Sequence, residues 1–270
     1  MKKLLLFGFA ACVTAFGTAV FAGEEKEGSK PQMFVIYKDV VHPSKTMEYE
    51  AAIKHMISEF TAYNIDPKKM GWRTVNGPEM GYVYVMPIEN FSDIDRMHKD
   101  WEAAMDVIGA EKIEAMMTAV TETMDHVEVF HVQLRTDLSY TPEEPSLKPE
   151  DIKYVQYGFY YVMPGKKKVL EEAAKQYAEL YKANNVETGW SIYESVTGND
   201  LPLFVVAHPA RSQAEFYQHL EALKALFGED SKKIGEKVMQ AVRRVELKDG
   251  WIRGDLSYPA TGEQAEETER

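Results

Sequence analysis

An internal duplication constrains the fold of this chain more than any other feature of its sequence. The phrase Asp-Leu-Ser-Tyr occurs at residues 137–140 and again at 255–258. Three further pairs of segments match in the same order: 42–64 with 163–185, Gly71-Trp72 with Gly189-Trp190, and 81–87 with 202–209. The offset stays at about 120 residues, which is too long for a solenoid unit and predicts two copies of one domain.

A linker separates the two copies. Residues 142–152 hold three prolines and four acidic residues without periodicity, which is typical of a connection. We therefore predict repeat 1 at 33–141 and repeat 2 at 153–259. The repeated phrase is interpreted as the end of the last strand of each copy, because Leu and Tyr suit a strand and the Pro that follows stops it. No catalytic role is assigned to it.

Each copy reads as strand, helix, strand, strand, helix, strand. In the first copy, residues 33–41 are rich in β-branched and aromatic side chains. The next segment places apolar residues at helical spacing: Tyr49, Ile53, Met56, Ile57 and Phe60. Residues 77–81 predict a turn between two strands, and a helical stretch over 92–123 is broken near Gly109. This βαββαβ order is that of a ferredoxin-like unit, so we predict an α+β fold.

The first strand of the second copy predicts how the two units pack. In residues 154–163, alternate positions are apolar or aromatic on both faces of the strand. A strand that is apolar on both faces is buried on both. Helices of the same copy cover one face, and the most economical cover for the other is the sheet of the other copy. We therefore predict two tandem ferredoxin-like repeats that form an intramolecular α/β barrel.

The chain also resembles a known group of proteins. Residues 160–184, "YYVMPGKKKVLEEAAKQYAELYKAN", followed by Gly189-Trp190, are similar to NIPSNAP-like and antibiotic-biosynthesis-monooxygenase-like domains. Both halves together resemble the dimeric α/β-barrel superfamily in tandem form. The resemblance implies small-molecule binding between sheet and helices, in a group that includes cofactor-free oxygenases, haem-degrading enzymes and isomerases. It carries no catalytic motif over to named residues of this chain.

The N-terminus has the layout of a secretory signal peptide. Two lysines precede an apolar run over residues 4–22, and the small residues near its end predict cleavage after Ala22, so that residues 1–22 are removed. A membrane anchor, or a lipoprotein site at Cys12, is the alternative. Cleavage would remove Cys12, the only cysteine, and with it any disulfide or thiol ligand. We expect a periplasmic or secreted protein that is free of the membrane after cleavage.

The charge of the chain narrows the class of partner. The net charge is -12, and it becomes -14 without Lys2 and Lys3. An acidic surface argues against nucleic acid or anionic lipid as the main partner. The tail over 260–270 is polar, acidic and aperiodic, and is predicted to be disordered.

Ten residues are candidate ligand contacts: Lys38, Asp39, His42, Trp72, Tyr82, Tyr84, His131, Tyr157, Trp190 and His208. Lys38 and Asp39 are charges inside a predicted strand, so whichever is buried needs a partner. The tyrosines and tryptophans either line a cavity or pack in a core with their polar tips hydrogen-bonded. We expect a pocket in the first half, because it holds five of the seven histidines.

The histidines form no metal-binding motif, and no metal or cofactor is predicted. His131 lies among apolar residues and is expected to point inward, either as a hydrogen-bonded core residue or as a ligand contact. His42-Pro43 and His208-Pro209 close the first and third strands of their copies. Taking those strands as parallel neighbours, we expect both histidines at an equivalent rim, although a plain turn is the simpler interpretation.

Three functions remain open from the sequence. The first is an exported protein that holds a small apolar or aromatic molecule, as a monomer with pseudo-twofold symmetry or as a higher oligomer. The second is a cofactor-independent oxygenase or isomerase that uses a His or Asp base. The third is a haem-binding protein of chlorite-dismutase-like architecture, for which the second half offers only His208 and His219.

Overall fold

The computed structural model describes residues 32–198 and 200–259. The predicted signal peptide and the predicted acidic tail lie outside the described residues. The first half comprises β1 Met33–Val41, α1 Thr46–Ala62, α2 Pro67–Met70, β2 Arg73–Gly77, β3 Gly81–Ile88, α3 Ser92–Ile108, α4 Ala110–Thr121 and β4 Met124–Leu134. The second half comprises β5 Tyr154–Val162, α5 Lys167–Ala183, β6 Ser191–Thr197, β7 Leu203–Ala210, α6 Gln213–Ala241 and β8 Val242–Ile252.

The helices form where the sequence predicted them. In α1, the buried residues are the five at helical spacing: Tyr49, Ile53, Met56, Ile57 and Phe60. Gly109 has a φ of 101°, which ends α3 and starts α4 at the predicted break. The second half has the same device, since Gly228 with a φ of 48° kinks α6.

The eight strands close into one barrel in the order β1-β3-β2-β8-β5-β7-β6-β4. Every neighbouring pair is antiparallel. Two tandem βαββαβ units therefore form an intramolecular α/β barrel, and the predicted fold class is confirmed. The last strand of each half pairs with the second strand of the other half: β4 pairs with β6, and β8 pairs with β2.

The strand directions correct one expectation. The first and third strands of each half are antiparallel neighbours, with Tyr37 opposite Tyr84 and Gly158 opposite Val206. His42 follows the end of β1, whereas His208 lies within β7 opposite Gln156. The two histidines therefore do not share an equivalent rim.

Three apolar layers hold the fold together. One fills the barrel between the two sheets and includes Phe34 and Val155, both fully buried. The second lies between the first sheet and its helices around Phe60. The third lies between the second sheet and its helices around Phe204. The two-sided burial predicted for residues 154–163 is found, because Val155 belongs to the barrel layer and Val162 to the third layer.

The repeated Asp-Leu-Ser-Tyr phrase follows each last strand and crosses into the other half. Leu256 is buried in the layer under α1, and Leu138 is buried in the layer under α5. Tyr258 forms a bridge with Trp72, and Tyr140 forms the equivalent bridge with Trp190. The phrase is duplicated because each copy inserts its end into the other.

The linker over residues 142–152 packs against the second half. The Ser146 amide donates to the Glu187 carbonyl at 3.1 Å, and Ile152 is buried in the barrel layer. In the part of the chain that the structure describes, no helix is both long enough and apolar enough to cross a membrane.

Candidate functional site

The barrel encloses a cavity of about 500 Å³ between the two sheets. Its walls are mainly apolar and aromatic and come from both halves: Phe34, Ile36, Val83, Val85, Phe130, Val132, Tyr157, Phe159, Tyr161, Tyr193, Val205 and Ala207. Alternation along each strand puts these side chains on the inner face, since residues two apart share a face. The cavity therefore belongs to both halves, rather than to the first half as expected.

The cavity opens at one end of the barrel. Val155 and Ile152 are buried at the end where β5 begins. The lining at the other end includes Met80 in the turn between β2 and β3, and Asp200 in the segment between β6 and β7. Val127 of β4 also lines it and is 48% exposed, so the opening reaches the surface beside β4.

Two lysines near this opening are paired with carboxylates. Lys38 Nζ lies 2.8 Å from Glu128 Oε1, and Lys248 Nζ lies 3.0 Å from Glu246 Oε2. The hydrogen bond from Lys248 lowers the pKa of Glu246. Lys248 Nζ also lies 4.9 Å from the centre of the Phe159 ring, as in a cation–π contact. Because each ammonium group has a carboxylate partner, neither lysine requires an anionic ligand for charge balance.

Tyr157 offers a polar group to the cavity. Its hydroxyl donates no hydrogen bond to another described residue, although it lies in the cavity wall. Burial raises the pKa of this hydroxyl, with a smaller effect from the neighbouring Tyr193. Tyr157 is therefore a neutral donor that a ligand's oxygen or nitrogen can satisfy.

A second polar cluster lies on the opposite face of the first sheet, beneath α1. The Tyr49 hydroxyl donates to Asp39 Oδ2 at 2.6 Å and lies 2.5 Å from the Tyr84 hydroxyl. Asp39 is only 9% exposed, and its burial raises its pKa, although the hydrogen bond from Tyr49 acts in the other direction. Gly81 lets the start of β3 lie close to the backbone of Asp39 in β1, because a Cβ at residue 81 would lie 2.5 Å from the Asp39 carbonyl oxygen.

Among the described residues, this cluster exists in the first half alone. Strand register and helix position place Tyr160, Leu170 and Val206 where the first half has Asp39, Tyr49 and Tyr84. The duplication therefore produced two scaffolds and one buried carboxylate. Tyr82 belongs to a neighbouring network, where its hydroxyl donates to Glu50 Oε1 at 2.6 Å.

The remaining candidates are dispersed. Trp72 donates from Nε1 to the Leu256 carbonyl at 2.8 Å, and Trp190 is buried in the equivalent layer of the second half. His208 packs beside Trp190, with ring centres 6.4 Å apart. His42 is exposed at the start of a short 3₁₀ turn.

His131 lies differently from the expectation. Its Nδ1 lies 2.7 Å from the Thr197 hydroxyl, and its ring lies 5.2 Å from the ring of Phe91. It pairs with Val35, whereas the inward residues Phe130 and Val132 flank it, so it faces outward from the barrel. The phase of alternation in β4, which an apolar stretch does not reveal, decides its direction.

Of the ten candidates, only Lys38 and Tyr157 meet in the cavity. Sequence reasoning missed Glu128, Phe159, Tyr193 and Lys248. Phe159 and Tyr161 were visible as the partners of Tyr157 in the alternation of β5, but β4, β6 and β8 carried no comparable signal. Among the described residues, no group of three or more His, Cys, Asp or Glu side chains could hold a metal ion.

We expect Asp39→Asn to change how the stability of the protein depends on pH. The pKa of Asp39 is raised in the folded state, so its contribution is complete below the unfolded value near 3.9 and is lost as pH rises through the folded value. Asparagine can still accept from Tyr49 and has no such dependence. Urea unfolding from pH 3.5 to 8 should show the variant gaining stability relative to the wild type as pH rises; parallel profiles would contradict the assignment.

No family model and no curated protein matches this chain, but solved structures do. An anthrone oxidase-like protein aligns over 83% of this chain and 92% of its own length, with a TM-score of 0.54 and 13% identity. A candidate monooxygenase from Fusobacterium nucleatum subsp. nucleatum aligns over 82% and 92%, with a TM-score of 0.51 and 10% identity. A mutant chlorite dismutase from Candidatus Nitrospira defluvii, at 13% identity over 82% and 91%, has a TM-score of 0.45, too low to support an argument.

These likenesses define a class by its fold. At such identities they show the fold alone, and that fold is the dimeric α/β barrel. In this chain the two sheets that build such a barrel come from one polypeptide, and they enclose the cavity described above.

Proposed function

We propose that this protein binds a small apolar or aromatic molecule inside its barrel. The observation that carries the proposal is the cavity of about 500 Å³ lined by Phe and Tyr rings from both halves. Small-molecule sites have volumes of roughly 300–1,000 Å³, apolar walls and a few polar groups, and an eight-stranded barrel is wide enough to hold one small ligand.

The lining specifies the character of the ligand. Phe130, Phe159 and Tyr161 line the cavity with aromatic rings, and the lysines at the opening are paired with carboxylates. Lys248 lies over the Phe159 ring, and Arg244 lies 3.8 Å from the centre of the Tyr161 ring. A largely uncharged ligand with one hydrogen-bond acceptor suits this lining, since Tyr157 can donate to that acceptor. Desolvating the apolar part of the ligand supplies the affinity.

Binding is favoured over oxygenase or isomerase chemistry by the position of the buried acid. Asp39 is the buried carboxylate with a raised pKa, and it bonds to Tyr49 under α1. The cavity lies on the other face of the same sheet, where the neighbouring Lys38 points. A general base must reach the proton that it abstracts, and Asp39 does not reach the cavity.

Haem is not a good match for the described residues. None of the residues that line the cavity within the described chain is a histidine. His208 instead packs between Trp190 and Phe216, with ring centres 6.4 Å and 6.2 Å away, and His219 bonds to the Thr188 hydroxyl. An absorption scan of purified protein should accordingly show no Soret band.

We also propose that the protein is exported and that it is related to NIPSNAP-like domains. The layout of residues 1–22 supports cleavage after Ala22 and a periplasmic or secreted location. Mass spectrometry of the protein from its native host tests this through the mass of the mature N-terminus. The similarity of residues 160–184 supports a relationship to NIPSNAP-like domains within the dimeric α/β-barrel group.

Filling the cavity should weaken binding without unfolding the protein. Ala207 lines the cavity and is 1% exposed, so Ala207→Phe puts a ring into the ligand's space. We expect affinity for the neutral probe N-phenyl-1-naphthylamine to fall at least about tenfold, equivalent to about 1.4 kcal/mol. Fluorescence titration measures this, and circular dichroism checks the fold.

Two further variants make the test specific. Val85→Phe fills the cavity from the other half and should have the same effect. Met239→Lys removes an exposed apolar side chain from α6 and should leave the affinity unchanged. If the probe binds all four proteins equally, its site is not the barrel.

A further inference from the structure

β4 extends beyond its partner on one side. It pairs with β1 from Met124 to Gln133, but with β6 only from His131 to Leu134. Within the described residues, the segment 125–130 therefore has a strand neighbour on one side alone. Its other edge presents unpaired backbone N–H and C=O groups, which are a template for another strand.

The exposed edge lacks basic side chains and proline. Its sequence is Asp-His-Val-Glu-Val-Phe, without Lys, Arg or Pro. Val127 and Val129 are 48% and 45% exposed. Register shifts lie at its two ends, at Asp125 and between His131 and Val132, and the pairing with β1 is regular from His126 to Phe130. Lysine and proline, which also block such edges, are absent from this regular part.

We propose that a second copy of this chain pairs antiparallel with this edge, about a twofold axis at Val127. That register sets His126 of each copy opposite Glu128 of the other and brings the two Val127 side chains together. Opposite charges and β-branched pairs across antiparallel strands each favour association. Within its own chain, His126 bonds to Asp125 at 2.6 Å and Glu128 to Lys38 at 2.8 Å, so the pairing across copies would extend an existing charge network. The interface is isologous, so it closes after two copies.

The other long strand provides an internal comparison. β8 pairs with β2 only at Trp251 and Ile252, so its segment 244–248 also extends beyond its partner. That segment carries Arg244 and Lys248, basic side chains of the kind that block strand pairing at an open edge. Arg244 is also held by Asp200 at 2.7 Å. Basic side chains therefore protect the edge of β8, whereas segment 125–130 of β4 carries none.

The second copy would also complete the ligand site, and this part rests on the proposed function. Val127, Glu128 and Val129 line the cavity beside its opening. A strand paired there covers the opening and lengthens the residence of a bound molecule. Assembly can be measured without any ligand, so failure of the dimer and failure of ligand binding are distinguishable.

Sedimentation velocity of residues 23–270 tests the assembly. We expect dimers at tens of micromolar, and a dimer dissociation constant at least 100-fold weaker for Val127→Lys. Leu247→Lys on β8, at a side chain that is 60% exposed, is the matched control and should leave the dimer intact. Dimers that survive Val127→Lys, or that Leu247→Lys disrupts instead, would overturn the proposal.

Cross-linking tests the register and does not depend on the strength of association. Residues 23–270 contain no cysteine, so Val127→Cys introduces a single thiol at the proposed axis. Directly opposed strand positions have Cβ atoms about 4.5–5.5 Å apart, close enough for a disulfide to form with small movement. We expect an oxidised dimer from Val127→Cys and none from Leu247→Cys. A monomeric protein that does not cross-link would contradict the proposal.

Discussion

Replacing Leu256 with alanine is expected to lower the free energy of unfolding by about 3 kcal/mol, within the range for buried leucines. Leu256 is 0% exposed. It belongs to the second repeat but packs under α1 of the first half. Truncation leaves a cavity where the two halves interlock, next to the bridge between Tyr258 and Trp72. Urea unfolding followed by circular dichroism measures the loss.

The duplication supplies both a replicate and a control for this experiment. Leu138 is 1% exposed at the equivalent place, so Leu138→Ala should cost a similar amount. Leu247 is 60% exposed, and Leu247→Ala should cost less than about 0.5 kcal/mol. If the two buried leucines behave like Leu247, the crossing segments do not hold the halves together.

Replacing Arg253 with methionine is expected to cost about 2 kcal/mol at pH 7. Its guanidinium donates to Glu50 at 2.6 and 2.7 Å and to Asp255 at 2.8 Å, with about a quarter of each of Arg253 and Glu50 exposed. Removing the cation leaves Glu50 without an ionic partner. The loss is smaller than for a fully buried pair, because water screens part of the interaction.

The cost of Arg253→Met should depend on pH. The hydrogen bonds from Arg253 lower the pKa of Asp255 to about 2. A lowered folded pKa means that the stabilisation is complete above the unfolded value near 3.9 and is lost as pH falls towards 2. The difference between wild type and variant should therefore shrink between pH 4 and 2.

The reference for this variant is a surface arginine. Arg96 is 46% exposed and pairs with Asp93 and Asp100 along α3, and Arg96→Met should cost less than about 0.5 kcal/mol. A cost for Arg253→Met that is the same at pH 2.5 and pH 7 would mean that the side chain acts by packing its apolar stem, and not by its charge.

Both predictions concern the segment that ends each half and packs against the other half. Each half ends with an arginine, an acid and the Leu-Ser-Tyr sequence, and these residues act on the other half. Arg135 repeats the arrangement through Asp137 and Glu171, at 2.8 and 3.0 Å. The reciprocal exchange explains why the phrase was retained in both copies while the interior residues diverged, as Asp39 and Tyr160 show.

The candidate site could be predicted only in part, and β5 and β4 show why. In β5 the alternation of Tyr157, Phe159 and Tyr161 with a second apolar face was sufficient to infer a sheet on both sides. In β4 the valines at 127 and 129 give no comparable signal, and they are exposed in a segment that β6 does not reach. The sequence of one strand does not reveal where the neighbouring strand ends.

The sequence by itself determined the duplication, the βαββαβ order, the barrel and the break at Gly109, because repeat spacing, hydrophobic period and glycine conformation are properties of local sequence. Only the tertiary structure decided that Lys38 faces the cavity while Asp39 faces α1, that Asp-Leu-Ser-Tyr crosses into the other half, and that β4 keeps an open edge. These features depend on register and on strand ends that are distant along the chain. One residue of register moves every side chain to the other face, and short stretches of sequence do not encode that choice.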